Sequence, residues 1–164
     1  MKKITEKMDV FTLKIQTLYD IEKELEKVLP KLAKAASDSE LSENLLAHLD
    51  ETKKQGERLE KIFDIIGENP SKSKCEAIRA IAEDGAEIIK SNTSTQLKDT
   101  MIASAGRETE HLEIANYMSA ILEAKQLGLS EVSELLSETL QEEKLADERL
   151  EKAMKKNFQE EVLV

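Results

Sequence analysis

Glu57-Arg58-Leu59-Glu60-Lys61 recurs, residue for residue, as Glu148-Arg149-Leu150-Glu151-Lys152, 91 positions later. The echo extends upstream. From Glu22 to Lys61, set without a gap against Glu113 to Lys152, 16 of 40 positions are identical. Glu22 falls on Glu113 and Glu51 on Glu142. A unit of this length cannot bury its apolar face alone, so two copies must pack on each other. Each copy reads as a helical hairpin, and two hairpins make an all-α four-helix bundle.

The first helix is predicted from Asp9 to Ala36. Its line Phe11, Ile15, Leu18, Glu22, Leu25, Leu29, Leu32 steps by four and three, the spacing of a bundle seam, with Pro30 a place where it can kink. Ser37-Asp38-Ser39-Glu40 is the turn, with Ser39 as N-cap, and the second helix stops at Gly67 ahead of Pro70. The first hairpin therefore covers 9–66. Residues 67–95 break the repeat and hold one shorter helix, about Cys75 to Lys90. A long crossover between the second and third helices marks a ferritin-like bundle, since up-down-up-down bundles do not need one. The second hairpin, 96–156, has helices ending at Gly128 and starting after Ser130, and 157–164 is a tail that extends or frays. No low-complexity linker splits 1–164, which reads as a single domain.

The chain has 164 residues, no tryptophan, two prolines and a net charge of −10. An acidic chain without a basic cluster is a poor partner for nucleic acid, whose phosphates need concentrated Lys and Arg. Cys75 is the only cysteine, so no internal disulfide forms. No run approaches about 18 apolar residues, so no membrane span is predicted. The opening Met1 to Asp9 lacks the apolar stretch of a signal peptide, and the expected compartment is the cytoplasm.

All four seams turn polar in mid-length. Glu22 stands between Leu18 and Leu25. The second helix reads Leu45, His48, Thr52, Gln55, Leu59, with Glu51 beside it. The third reads Ala103, Gly106, Glu110, Glu113, Tyr117, Ala120. The fourth reads Leu136, Thr139, Glu143, Ala146, Leu150, with Glu142 beside it. Glu22 and Glu51 lie at similar distances from the first turn, as do Glu113 and Glu142 from the second, so at about 1.5 Å per residue one layer should hold at least four carboxylates. Unpaired buried carboxylates each cost several kcal/mol, and neighbours of like sign add to that. Two divalent cations would relieve it, and oxygen ligands with one imidazole suit iron or manganese before zinc. The candidate ligands are Glu22, Glu51, Glu110, Glu113, Glu142 or Glu143, and His48. Arg58 and Arg149 are expected to tie helices by salt bridges. Tyr19 and Tyr117 are read as packing, ahead of oxidisable neighbours of the site, Asp20 and His111 as surface or supporting residues, and Cys75 as a small residue near a helix start.

Leu18-Tyr19-Asp20-Ile21-Glu22-Lys23-Glu24-Leu25, His48-Leu49-Asp50-Glu51-Thr52, Gly67-Glu68-Asn69-Pro70, Glu110-His111-Leu112-Glu113-Ile114-Ala115 and Leu140-Gln141-Glu142-Glu143-Lys144-Leu145-Ala146-Asp147, in that order, resemble the YciE/YciF family of ferritin-like bacterial stress proteins. The resemblance runs from about residue 8 to 153. It implies a ferritin-like bundle, often dimeric, with a di-iron site and no settled biochemical activity. The ferritin-like pattern wants one Glu from each of two helices and Glu-x-x-His, or an extra Glu, from the others. Glu22 fits, and Glu110 with Glu113 resembles the third helix of rubrerythrins. The chain departs at Lys54 and Leu145, where histidines would follow Glu51 and Glu142; His48 stands one turn before Glu51 instead.

These features favour a dinuclear metal-binding protein, with iron oxidation or peroxide handling as its chemistry and metal binding favoured over turnover. The alternative is a dimeric structural helical stress protein whose acidic layer holds protons or water. A histidine phosphotransfer module is disfavoured, because His48 sits among carboxylates and His111 between Glu110 and Glu113, which would repel a phosphoryl donor.

Overall fold

The computed structural model describes residues 4–70 and 74–161. Five helices and no strand are found among the described residues: α1 (Lys7–Ala35), α2 (Ser39–Ile66), α3 (Glu76–Lys90), α4 (Thr95–Gln126) and α5 (Ser130–Glu161). Parts of three expectations, the opening at 1–3, the crossover at 71–73 and the tail at 162–164, lie outside the described residues. No described helix is long and apolar enough to cross a membrane.

Helix ends follow local chemistry. α1 runs through Pro30 without interruption. The N-cap of α2 is Asp38, not Ser39: its carboxylate accepts from the Leu41 N–H at 3.0 Å. A carboxylate serves well there, facing the positive end of the helix dipole. α2 ends at Gly67, whose φ of 68° is open to glycine at little cost, and the Glu68 N–H closes back on the Phe63 carbonyl at 3.0 Å. Gly128, at φ 73°, does the same after α4, with the Leu129 N–H on the Ala124 carbonyl. The tail expected from residue 157 continues α5 as far as Glu161.

The long helices bury the seams predicted for them, and a polar layer divides the core in two. One apolar cluster joins Phe11, Ile15 and Leu18 of α1 to Leu59 and Ile62 of α2, Tyr117, Ala120 and Ala124 of α4, and Val132 and Leu136 of α5. The other joins Ile21, Leu25, Leu29 and Leu32 to Leu41 and Leu45, Ile102 and Ala103, and Leu150. The early part of α1 thus packs with the late part of α4, so those two run antiparallel. The early parts of α2 and α4 share a cluster, so those two run parallel. A parallel pair needs a connection that returns the full length, and residues 67–94 supply it.

On the way back α3 lies against α1 and α4. Its Ile78 is buried in the second cluster. Asp20 of α1 holds its start, accepting from Arg79 at 2.8 and 3.0 Å and from the Cys75 N–H at 2.7 Å. Buried Asp99 of α4 accepts from the Ser37 and Asp38 N–H groups, each at 2.8 Å, and so ties the α1–α2 turn to the second hairpin.

Candidate metal centre

The layer between the apolar clusters takes Glu22 from α1, His48 from α2, Glu110 and Glu113 from α4 and Glu143 from α5. Each is at most 4 % exposed. Glu110 and Glu113 are three apart, so one turn of α4 aims both inward. Ligand atoms of His48, Glu110, Glu113 and Glu143 lie within 4.8 Å of one another, close enough to hold a metal ion. His48 Nε2 stands 3.2 Å from Glu110 Oε1 and 3.9 Å from Glu143 Oε2. Glu22 adjoins the group and accepts the Tyr117 hydroxyl proton at 2.5 Å on Oε1.

These groups lack the hydrogen bonds that burial demands. The unpartnered buried atoms here are Glu22 Oε2, both His48 nitrogens, Gln55 Oε1, Glu110 Oε2, both Glu113 oxygens and Glu143 Oε2, eight of the eleven such side-chain atoms among the described residues. His48 is near enough to its carboxylates for ion pairing but not aligned to donate. Native cores pair nearly all such atoms, and each orphan costs about 1–3 kcal/mol or more. Eight in one layer set it apart from the rest of the core. An oxygen-rich donor set with one imidazole fits a divalent cation, which would satisfy lone pairs and charge together.

Electrostatics agree. Burial pushes Glu22 up to about 7, against the Tyr117 hydroxyl and His48, which pull it down. Burial also raises Glu113 well above the carboxylate range, and the charges of Glu143, Glu22 and Glu110 add to it. Glu143 is raised by burial and then by Glu110. Burial alone would lower His48, but Glu110, with Glu51 and Glu143, outweighs it and holds the imidazole well above its usual value. These shifts favour protonated groups in the layer, and a cation entering it would displace those protons.

Glu51 and Glu142 stand at the edge of the layer, with side chains 26 % and 25 % exposed. Each is held by an arginine of the opposite hairpin. Arg149 donates to Glu51 at 3.0 Å, and Arg58 donates to Glu142 at 3.0 and 3.1 Å. The repeat exchanges these two pairs, and they are the helix-tying bridges that the sequence predicts. Glu51 also lies 3.5 Å from His48 Nδ1, a contact that lowers the Glu51 pKa ahead of Arg149.

Of the seven predicted ligands, the structure brings Glu22, His48, Glu110, Glu113 and Glu143 into the buried layer and leaves Glu51 and Glu142 on its rim. His111 is exposed, 3.6 Å from Asp147. Tyr19 bonds to Glu60, away from the layer. One supporting residue escaped the sequence reading, and another ranks there first as packing and only second as a neighbour of the site. Tyr117, read as packing, bonds Glu22. Gln55 donates to Glu142 at 3.0 Å and also to Glu143, linking rim to centre. The available signal was Gln55's place on the seam, where its counterpart in the repeat is Ala146.

Residues 6–163 match a family described as a domain of unknown function, DUF892. The chain is 37% identical over 143 residues to Protein YciF of Escherichia coli strain K12, a span of 87% of this chain and 86% of that protein. The crystal structure of the E. coli stress protein YciF matches with a TM-score of 0.92 and 34% identity, over 95% of this chain and 99% of that one. YcfI of Rhodopseudomonas palustris, described as a structural protein, matches with a TM-score of 0.88 and 32% identity, over 92% and 96%. The motifs quoted from the sequence thus extend to agreement over nearly the whole chain, and the protein belongs to the DUF892 family as a YciF-like member.

Proposed function

We propose that this is a ferritin-like metal-binding protein. It is a single domain with a four-helix core of two hairpins, and it holds two divalent cations, iron before manganese or zinc. The observation that carries this reading is the layer of unpartnered Glu22, Glu110, Glu113 and Glu143 oxygens between two apolar clusters. Four ionised glutamates carry the charge that two divalent cations neutralise. His48, Glu110, Glu113 and Glu143 would hold one ion, and Glu22 with Glu113 would contribute to the second. Glu51 and Glu142 stand in reserve on the rim. Bound iron would supply oxidation of ferrous ion by dioxygen or peroxide, in keeping with a role in bacterial stress in the cytoplasm, as a homodimer.

The chain's own residues set the conditions for that chemistry. Tyr117 fixes one oxygen of Glu22 and leaves the other free. Gln55 orients Glu143 by donating to it. Glu51 faces Nδ1 of His48, which leaves Nε2 toward the centre. The apolar clusters on both sides exclude bulk water and strengthen every charge interaction between them.

Protein purified after iron supplementation should contain two metal ions per chain by plasma mass spectrometry, and an anomalous-diffraction map at the iron edge should place them among these side chains. A second reading, a structural helical protein, is favoured by the arginine-held Glu51 and Glu142, which already have partners. Less than one metal per chain would establish it in place of the first.

A further inference from the structure

Glu110 has a second neighbour that the metal layer does not explain. Between α1, α2, α3 and α4 lies a cavity of about 20 Å³, walled by Leu32, Leu45, Ile78 and Ala105 and reaching Thr109 and Glu110. It exceeds the roughly 10–15 Å³ that one water-sized sphere requires. A water also needs two to four polar partners. Its polar groups are confined to one end: Thr109, which spends its proton on the Ala105 carbonyl at 3.1 Å, and the Glu110 carboxyl, while the remaining walls are almost wholly hydrocarbon. Such a space suits a small apolar occupant.

Two helical glycines line it, and they differ. A Cβ on Gly106 would meet Leu150 Cδ1 at 2.8 Å, so close helix packing accounts for that residue. Gly85 has no such reason. It is buried in the middle of α3, its φ is not positive, and a Cβ there would meet only Leu32 Cδ2, at 3.6 Å. Glycine inside a helix costs about 0.5–1 kcal/mol relative to alanine. The vacancy beside Gly85 is the cavity itself. At its far side Glu110 is 2 % exposed, and its Oε2 has no partner. A separate small cavity reaches Glu110 from the α2–α5 side, past the polar groups of Asn44, His48 and Arg149. Both approaches are walled mainly by hydrocarbon, and the second differs in the Asn44, His48 and Arg149 side chains that border it.

We propose that the cavity under α3 is a binding site for a diatomic apolar gas, dioxygen, and delivers it to the Glu110 side of the layer. The delivery part rests on the metal-centre reading; the binding part does not. Hydrogen peroxide, which needs hydrogen bonds, finds its side-chain partners at the Asn44, His48 and Arg149 side instead.

The first test uses metal-free protein in solution under dissolved oxygen, with paramagnetic relaxation of side-chain methyls as the readout. The Leu32, Leu45 and Ile78 methyls should relax fastest among buried methyls, and Gly85→Leu should abolish the enhancement. Crystals under xenon pressure should show one xenon atom in the same space, absent from Gly85→Leu. Gly85→Ala, which the 3.6 Å clearance admits, controls for folding and should give an intermediate enhancement. Equal relaxation of all buried methyls, or an enhancement that survives Gly85→Leu, overturns the binding site. The second test compares oxidants on ferrous-loaded protein. Gly85→Leu should slow oxidation by dioxygen about tenfold, equivalent to about 1.4 kcal/mol, and leave oxidation by peroxide and the metal content unchanged. Equal slowing with both oxidants overturns delivery, and absence of bound metal rejects the metal reading while the first test still stands.

Discussion

The two hairpins share a template and differ in what they send to the centre. α1 and α2 contribute Glu22 and His48. α4 and α5 contribute Glu110, Glu113 and Glu143. Under the 91-residue shift Glu22 matches Glu113, but Glu110 faces Tyr19, Glu143 faces Thr52, and His48 faces Thr139. The rim behaves differently: Glu51–Arg149 and Arg58–Glu142 are one pair seen twice. Charge pairs that hold helices together kept the symmetry of the duplication, whereas two of the four interior acids, Glu110 and Glu143, broke it. A duplicated scaffold can be held by symmetric contacts, but four acids and one imidazole around a small volume cannot be symmetric in kind.

The sharpest way to break the comparison is to remove the acid at its centre. Glu113→Leu should reduce metal content to below one ion per chain by plasma mass spectrometry. The same variant, metal-free, should be more stable to urea than the parent by about 1–4 kcal/mol, because it replaces an unpaired buried carboxylate with a packed side chain. A destabilised variant would mean that Glu113 has a structural partner. Next come Glu22→Gln and Glu143→Gln, one from each hairpin. If the acid-rich half carries the tighter site, Glu143→Gln should lose more metal than Glu22→Gln, and equal losses would erase the distinction.

The pH dependence follows from the same groups. Glu22, Glu113 and Glu143 titrate in the folded protein above the ordinary value of 4.5. Between the two values the folded state binds more protons than the unfolded state, so their contribution is fully present below about 4.5 and is lost as pH rises. For Glu22 that loss runs up to about 7. His48, also raised, loses its contribution in the same direction as pH rises through its folded value. Metal-free protein should therefore be less stable to urea at pH 8 than at pH 5. Metal-loaded protein should show the reverse order, since cations bind the deprotonated ligands. A metal-free protein that gains stability over this range would contradict the protonated layer.

Rim variants should have smaller effects. Arg58→Met and Arg149→Met should leave metal content unchanged and cost stability unequally. The Arg58 side chain is 11% exposed and bonds Thr139, Glu138 and Glu142, so its loss should cost about 1–3 kcal/mol. Arg149, at 32% exposed, should cost about 1 kcal/mol or less. The smallest expected effect is Asp20→Asn. It should speed amide exchange at the start of α3, near Cys75 and Arg79, and change global stability little.

Much of this was legible in order along the chain. The spacing of Phe11 through Leu32 and of Leu45 through Ile66, with Gly67 and Gly128, located the helices to within a few residues, because seam period and left-handed caps are local properties. The polar middle of every seam pointed to the layer. The inward choice between Glu142 and Glu143 was not legible. Neighbours on a helix differ by about 100° in direction, so packing selects one, and the other finds Arg58 on a helix 84 residues away. Asp99, Gln55 and the Tyr117 contact were hidden for the same reason, since Gln55 and Tyr117 find partners on distant helices and Asp99 finds them in the distant α1–α2 turn.

By itself the sequence determined that the chain duplicates a hairpin, where its helices start and stop, and that all four apolar stripes turn polar in mid-length. Only the tertiary structure decided which acids stay unpaired, which are held by arginines, and that α3 leaves an apolar-walled space beside Glu110. The physical reason is reach: periodicity and capping act within a turn or two of helix, whereas burial and pairing depend on what an independently positioned helix brings alongside.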